Sequence, residues 1–239
     1  MKKLATVGAL VLAVLMTGAA AAQSPPSAAT VLANVQKFYA NASKLTAAFR
    51  QTVTIATFSI SKVSDGKLWV VKPTFIRLDY MAKRSGNAVV TKTFAFAGTT
   101  LWIVDHDNKQ IIQSHAGSSA LPVAVSFLSG GTALSSQFKA ALHAQAKDFV
   151  LELTPNQPSA QYKQLSFVVD PSNWRVKASI VVGSNGDTNR FDFYTPDLTS
   201  AIKTSWFQVN PSNLPTYKLV QPAPAPSGSA ARATPTTNP

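Results

Sequence analysis

Gly66-Lys67-Leu68-Trp69-Val70-Val71-Lys72-Pro73-Thr74-Phe75-Ile76-Arg77-Leu78-Asp79-Tyr80 decides the fold. It reads as two short strands rich in large apolar side chains, broken at the Lys72-Pro73 turn, because proline cannot extend the ladder of a central strand. Leu68, Val70, Ile76 and Leu78 are the candidate inward faces. A second Leu-Trp pair stands at Leu101 and Trp102. The stretch carries no catalytic chemistry and is built for apolar contact.

Upstream of it, Asp65-Gly66 supplies a turn signal, and Thr52 to Ile60 is dense in β-branched residues, as a strand requires. Before that, Val31, Val35, Phe38, Ala42, Leu45 and Phe49 recur at three-to-four spacing, which predicts an amphipathic helix from Val31 to about Phe49, with Ser27 able to cap it. Downstream, Ala88 to Phe96, Leu101 to Asp105 and Gln110 to Gln113 are separated by turn residues at Ala97-Gly98 and His106-Asp107-Asn108, a meander of hairpins.

Residues 114–146 break the strand pattern, and Leu134, Phe138, Ala141 and Leu142 suggest a second short helix between Gly131 and Ala146. Strand alternation then returns in Phe149/Leu151/Leu153, Leu165/Phe167/Val169, Trp174/Val176/Ala178/Ile180/Val182 and Phe191/Phe193, with a hairpin turn at Asn185-Gly186-Asp187 and a closing pair at Phe207 and Val209. The expected architecture is α+β. About ten or eleven antiparallel strands this apolar on one face must curl into an incomplete barrel, leaving helices to cover its concave side as a lid. The periodicity does not distinguish a filled concave face from an apolar cavity.

Composition narrows the function. Met1-Lys2-Lys3, the apolar run Leu4 to Ala19 and Ala20-Ala21-Ala22 before Gln23 read as a secretory signal peptide over 1–22, cleaved near Ala22. The mature domain is placed at 23–216 and a Pro/Ala/Ser/Thr-rich disordered tail at 217–239. The chain has no Cys, which removes disulfides, thiol nucleophiles, Cys-based zinc sites and the acylation site of a lipoprotein. Charged residues are 13% of the chain, about half the usual share. The net charge of +12 favours an anionic membrane surface or an acidic partner. Nucleic acid is set aside, since the protein is exported and its basic residues are scattered.

Enzymatic chemistry finds little support. His106, His115 and His143 lack metal-ligand spacing and are expected at the surface, and Ser129-Gly130-Gly131 is not a nucleophile elbow. Asp105 and Asp107 beside His106 are explained by a surface turn. No cofactor and no metal are expected. Trp69, Trp102, Trp174 and Trp206 are expected in core packing.

The ordered set Phe49-x-Gln51, Gly66-x-Leu68-Trp69, Lys72-Pro73, Arg77-x-x-Tyr80, Gly98-x-x-Leu101-Trp102 and Gln110 resembles the periplasmic outer-membrane lipoprotein carrier family, LolA. Phe149 to Pro155, Asp170, Gly186 and Phe207-x-Val209-x-Pro211 extend the resemblance over roughly residues 30–215. It implies a half-barrel with a helical lid over an apolar cavity that sequesters acyl chains. The implied partners are acylated lipoproteins, an inner-membrane lipoprotein-releasing ABC transporter, an outer-membrane acceptor or receptor, and transient membrane-surface contact, for a monomeric periplasmic chaperone. The alternative is a non-shuttling lipid- or partner-sensing exported β-domain of the same fold. Family members place Arg before the proline to help hold the lid; here Lys72 keeps the charge but not the planar fork. Ala97 stands where the usual Asp precedes the glycine.

Each acyl methylene kept from water is worth about 0.8 kcal/mol, so a carrier of such cargo needs a large apolar refuge. Candidate cavity-lining residues are Val35, Phe38, Tyr39, Phe49, Leu68, Val70, Ile76, Leu78, Phe127, Leu151 and Phe167, with Lys72 at the rim as lid or gate.

Overall fold

The computed structural model describes residues 25–115, 125, 127–129, 134–144, 147–160 and 162–220. The proposed signal peptide therefore lies outside the described residues, as does the chain beyond Val220. Helix α1 (Ala28–Asn41) is followed by β1 (Lys44–Ile55), β2 (Ile60–Val71), β3 (Phe75–Arg84), β4 (Asn87–Ala97), β5 (Thr100–Asp105) and β6 (Gln110–His115). A short helix α2 (Leu134–Gln137) then leads into β7 (Phe138–Ala144), β8 (Phe149–Pro155), β9 (Gln164–Val169), β10 (Val176–Val182), β11 (Thr188–Asp197) and β12 (Lys218–Val220). All twelve strands lie in one sheet ordered β12-β6-β5-β4-β3-β2-β1-β11-β10-β9-β8-β7. Two antiparallel meanders are thus joined where β1 meets β11, and the edges β12 and β7 remain apart. The result is an α+β fold with an incomplete barrel.

The opening stretch folds as expected: β2 and β3 pair Leu68 with Leu78 and Val70 with Ile76, and the turn between them carries a cis Lys72–Pro73 peptide. The turn at Gly98 forms without the family's Asp, with the Gly98 amide donating to the Thr74 carbonyl at 3.1 Å. Gly186, at φ 89°, makes the expected hairpin between β10 and β11.

Several expectations are corrected. Helix α1 stops at Asn41, and Leu45 and Phe49 belong to β1, because Ala42 is already extended and Leu45, Ala47 and Phe49 alternate as a strand face. The turn expected at Asp65-Gly66 lies instead at Ala56–Phe58, with Ser59 left-handed. Gly66 sits inside β2 opposite Phe49, whose ring occupies the space a Cβ would fill. The second helix is one turn long, and Phe138, Ala140 and Leu142 point inward from β7 with Ala141 and His143 between them.

In β10, a bulge between Val176 and Ala178 reverses the faces. Ser179 and Val181 therefore stand opposite Phe167 and Leu165 on the core side, while Ala178 and Ile180 turn to the other face. Phe207 and Val209 form no strand; Thr204–Phe207 is a 3-10 turn, and the head of the expected tail, Lys218–Val220, pairs parallel with β6.

Residues 204–217 cross the outer face of β2–β5. Phe207 is fully buried there against Phe75, with ring centroids 5.4 Å apart, and Trp206 meets Trp69 edge-on. The tryptophans are therefore not core residues: Trp69 and Trp102 are half-buried on the outer face, Trp206 is exposed, and Trp174 stacks on Phe149 at the core margin. Beneath this strap, Arg77 grips the buried Asp79 carboxylate and also donates to the Trp206 carbonyl; Thr93 donates to Asp79 at 2.7 Å.

His106 bridges Thr93 and the Tyr217 hydroxyl, so it is not the free surface group expected. Burial holds His106 below its ordinary value, Asp79 pulls it up, Arg77 pushes it down, and Asp105 and Asp107 pull it up. The unfolded chain therefore binds the proton more tightly, and stability contributed by neutral His106 is present above about pH 6.5 and lost as pH falls through its folded value. Tryptophan fluorescence, reporting the Trp69–Trp206 pair, is expected to change reversibly as pH is lowered from neutral toward about 5, and to stay flat in His106→Gln.

Candidate functional site

The concave face is built from strand positions of one parity. Leu45, Phe49, Leu68, Val70, Ile76 and Leu78 come from β1–β3; Leu151, Leu153, Leu165, Phe167, Val169, Val176 and Phe191 come from β8–β11. Helix α1 lies across it. Its N-terminus is set by Ser27, whose hydroxyl accepts the Thr30 amide at 3.1 Å. Val31, Leu32, Val35 and Tyr39, spaced by one, three and four residues, form its buried stripe. Val125, Phe127, Leu128 and Leu134 complete the cover.

Phe127 is the tie between cover and floor. Its ring lies 5.2 Å from Tyr39 on α1 and 4.5 Å from Phe167 on β9. The floor continues through aromatic contacts from Phe191 to Phe49, Tyr80 and Phe94.

All eleven candidate lining residues are brought together beneath or within this cover: ten are buried in the one cluster, and Phe38 packs at its margin. In this state the middle of the concave face is filled by the protein's own side chains. Open space remains at its two ends. At the C-terminal end of α1 a pocket of about 210 Å³ is lined by Phe38, Tyr39, Leu45, Ala47, Leu128, Val176, Phe193, Pro196 and Leu198, with Asn173 and Arg175 at its lip. At the other end a wider mouth of about 450 Å³ lies between polar groups, including Gln51, Lys62, Lys92 and Asp105, and reaches in to Tyr80 and Phe94.

Sequence reading misses the pocket residues outside α1. Leu198 and Pro196 follow the last regular pairing of β11, and Arg175 lies beside the bulge, where strand parity carries no information.

Tyr39 fastens the helix. Its hydroxyl accepts the Val176 amide at 3.2 Å next to the β10 bulge, and burial pushes the phenol well above its usual range, so it stays neutral. Tyr39→Phe leaves that amide buried without a partner, and the expected loss is about 1–3 kcal/mol in a denaturant titration. Amides of α1 should exchange faster by a similar factor, while those of β2 and β3 should follow global stability alone.

Lys72 stands at the same end. Its amide donates to the Ser43 carbonyl at 2.9 Å, just past α1, and burial lowers its ammonium value. Its side chain meets no acidic partner among the described residues. The backbone bond, rather than an ion pair, links this turn to the segment between α1 and β1.

His143 lies on β7, with Nε2 3.6 Å from Glu152. Asp105 accepts the amides of Asp107 and Asn108 and is held below the usual carboxylate range chiefly by Asn108, as in an ordinary polar turn. Among the described residues, no three His, Asp or Glu side chains gather as a metal site.

The family model described as outer membrane lipoprotein carrier protein LolA matches residues 40–210. The chain belongs to the LolA family. Among solved structures, an uncharacterized conserved protein from Thermus thermophilus superposes with a TM-score of 0.51 at 8% identity, over 82% of this chain and 99% of that one. That likeness shows the fold.

A LolA superfamily protein from Nitrosomonas europaea gives 0.43 at 12% identity, over 77% of this chain and 99% of that one. The Mycobacterium tuberculosis lipoprotein LppX gives 0.38 at 13%, over 72% and 98%. No curated protein matches the sequence. The model match begins just before the end of α1 and takes in β1 through β11, so the LolA half-barrel is matched almost whole.

Proposed function

We propose that this protein is a periplasmic chaperone that carries lipoproteins from the inner to the outer membrane, with the acyl chains taking the place now held by the lid's side chains. The observation that carries this reading is the wholly apolar make-up of the core's centre, where the cover meets the concave face. Val31, Leu32, Val35, Tyr39, Phe127 and Leu128 fill a trough whose walls are apolar along its length, and the trough already opens into an apolar pocket beside α1. Swinging the cover aside exposes apolar wall that an acyl chain can re-cover, so one apolar burial is exchanged for another.

A filled resting state also suits the task. An empty trough open to water would be an exposed apolar patch prone to association. A trough that closes on itself lets cargo leave for a membrane, since release restores the lid contacts. Cargo would be received from an inner-membrane lipoprotein-releasing ABC transporter and delivered to an outer-membrane acceptor, with the signal peptide removed near Ala22 on export.

Incubating the mature protein with vesicles that hold the transporter, ATP and an acylated lipoprotein is expected to yield a soluble one-to-one complex. An unacylated version of the same lipoprotein should yield none. Failure of the acylated form to leave the vesicles, or equal capture of both forms, would overturn the reading.

A further inference from the structure

Among the described residues, large apolar side chains left in water concentrate at the hairpin tip between β1 and β2: Ile55 is 40% exposed, Phe58 70%, Ile60 58% and Val63 54%. The tip is well built. Ile55 pairs with Ile60, the Ser59 amide closes the turn on the Ala56 carbonyl at 3.3 Å, and the Ala56 amide donates to the Asp187 carboxylate at 2.9 Å. The hydroxyls of Thr54 and Ser61 bond to each other at 2.8 Å.

The tip also projects. Pairing of β2 with β3 begins only at Asp65 and Met81, so Ile60 to Ser64 run past β3 with β1 as their only strand neighbour among the described residues.

The crest and the face that carries Ile55 and Ile60 are apolar. Ile55 and Ile60 are cross-strand partners, Phe58 occupies the turn, and Val63 stands farther back on the opposite face, behind the Thr54–Ser61 pair. A protein groove would cover one flank; an apolar medium entered from above covers the Phe58 crest and the Ile55–Ile60 flank together. Just behind the tip stand Lys62 and, near the end of β3, Lys83, both without an ion-pair partner among the described residues, on a chain of net charge +12. Apolar crest and unpaired cations behind it match the acyl boundary and anionic headgroups of a bilayer in that order.

We infer that the β1–β2 tip is a membrane-docking wedge that inserts Phe58 and its neighbours into an anionic lipid surface, with Lys62 and Lys83 at headgroup level. The wide mouth lined by Val53, Lys62 and Ser64 sits directly behind it, so docking presents that end of the trough to the bilayer. The wedge does not require cargo, and its test is made without any.

The chain has no Cys, so single-cysteine labelling is clean. An environment-sensitive fluorophore is attached at Phe58→Cys or, as a control at the opposite end of the barrel, at Lys147→Cys in the mature protein. Each is mixed with vesicles of phosphatidylethanolamine and phosphatidylglycerol. The tip label is expected to shift to the blue and to be quenched by a bilayer-embedded quencher, and the control label to do neither. Phe58→Ser should weaken vesicle binding of the unlabelled protein roughly tenfold.

Equal responses from the two labels would overturn the inference. So would vesicle binding that Phe58→Ser leaves unchanged and salt abolishes, which is adsorption by charge alone. A tip-label shift that grows with protein concentration in the absence of vesicles would assign the tip to strand addition between copies instead. None of these outcomes bears on whether a lipoprotein complex forms.

Discussion

Gly66→Ala is expected to cost about 3 kcal/mol or more, enough to unfold a marginally stable domain. A Cβ at this position would overlap the Phe49 ring and the Asp79 carbonyl oxygen. The ring can turn only by disturbing Tyr80 and Phe191, which it touches at centroid separations of 5.1 and 5.4 Å, and the carbonyl belongs to the paired backbone of β3. Denaturant midpoints measure the loss. Gly98→Ala supplies the comparison: nothing lies within 4 Å of its would-be Cβ, so only the left-handed backbone resists, at about 1 kcal/mol. Phe49→Leu in the Gly66→Ala background should recover part of the loss, since the carbonyl overlap remains. Equal costs at the two glycines would mean that the Phe49–Gly66 contact does not organise the sheet.

The second large effect concerns the lid. Val35 is fully buried at the middle of α1, and Val35→Asp places a carboxylate among Leu and Phe side chains at a cost on the order of 3 kcal/mol or more unless the group leaves for water. Leaving is possible for a helix that is covalently followed by β1 but crosses the sheet without strand pairing. The expected result is therefore a displaced α1 on an intact sheet: strong binding of an apolar dye, rapid amide exchange confined to α1, and strand circular dichroism retained. Complete unfolding at the same temperature would mean that α1 is a structural part of the core and not a lid.

How far this is legible in the sequence follows from where two periodicities coincide. Period-two alternation identifies the inward faces of β2, β3, β8 and β9 correctly, because each is a regular strand and parity decides which way every side chain points. The helix boundary is misjudged because Leu45 and Phe49 satisfy both readings: they lie four residues apart, as on a helix, and with Ala47 they also alternate, as on a strand. Phe138 and Leu142 of β7 repeat that ambiguity. Asp65-Gly66 resembles a turn because glycine's other use, admitting an aromatic ring across a strand pair, leaves no local mark.

The β10 faces are inverted by one extra residue. A bulge shifts parity without changing composition, so Ser179 enters the core and Ala178 turns away from it. Nine of the eleven candidate lining residues emerge as a set because they share strand faces and one helix stripe, while Phe127 comes from a 3-10 turn and Phe38 from the stripe's margin. What alternation does not encode is occupancy: whether the space above those faces holds lid side chains or a ligand depends on the position of α1. The strap is equally hidden, since Phe207, Trp206, Tyr217 and His106 meet only through the fold.

Exchange of lid for acyl chain is tested most directly by photo-cross-linking from single positions. A photoreactive side chain at Leu78, on the concave face beneath the cover, is expected to cross-link to the acyl portion of a lipoprotein released from vesicles and to give no product with the unacylated form. The same group at Trp69, on the outer face of the neighbouring strand, should give neither product. Cross-links from Trp69 equal to those from Leu78, or cross-links from Leu78 that do not depend on acylation, would contradict the exchange.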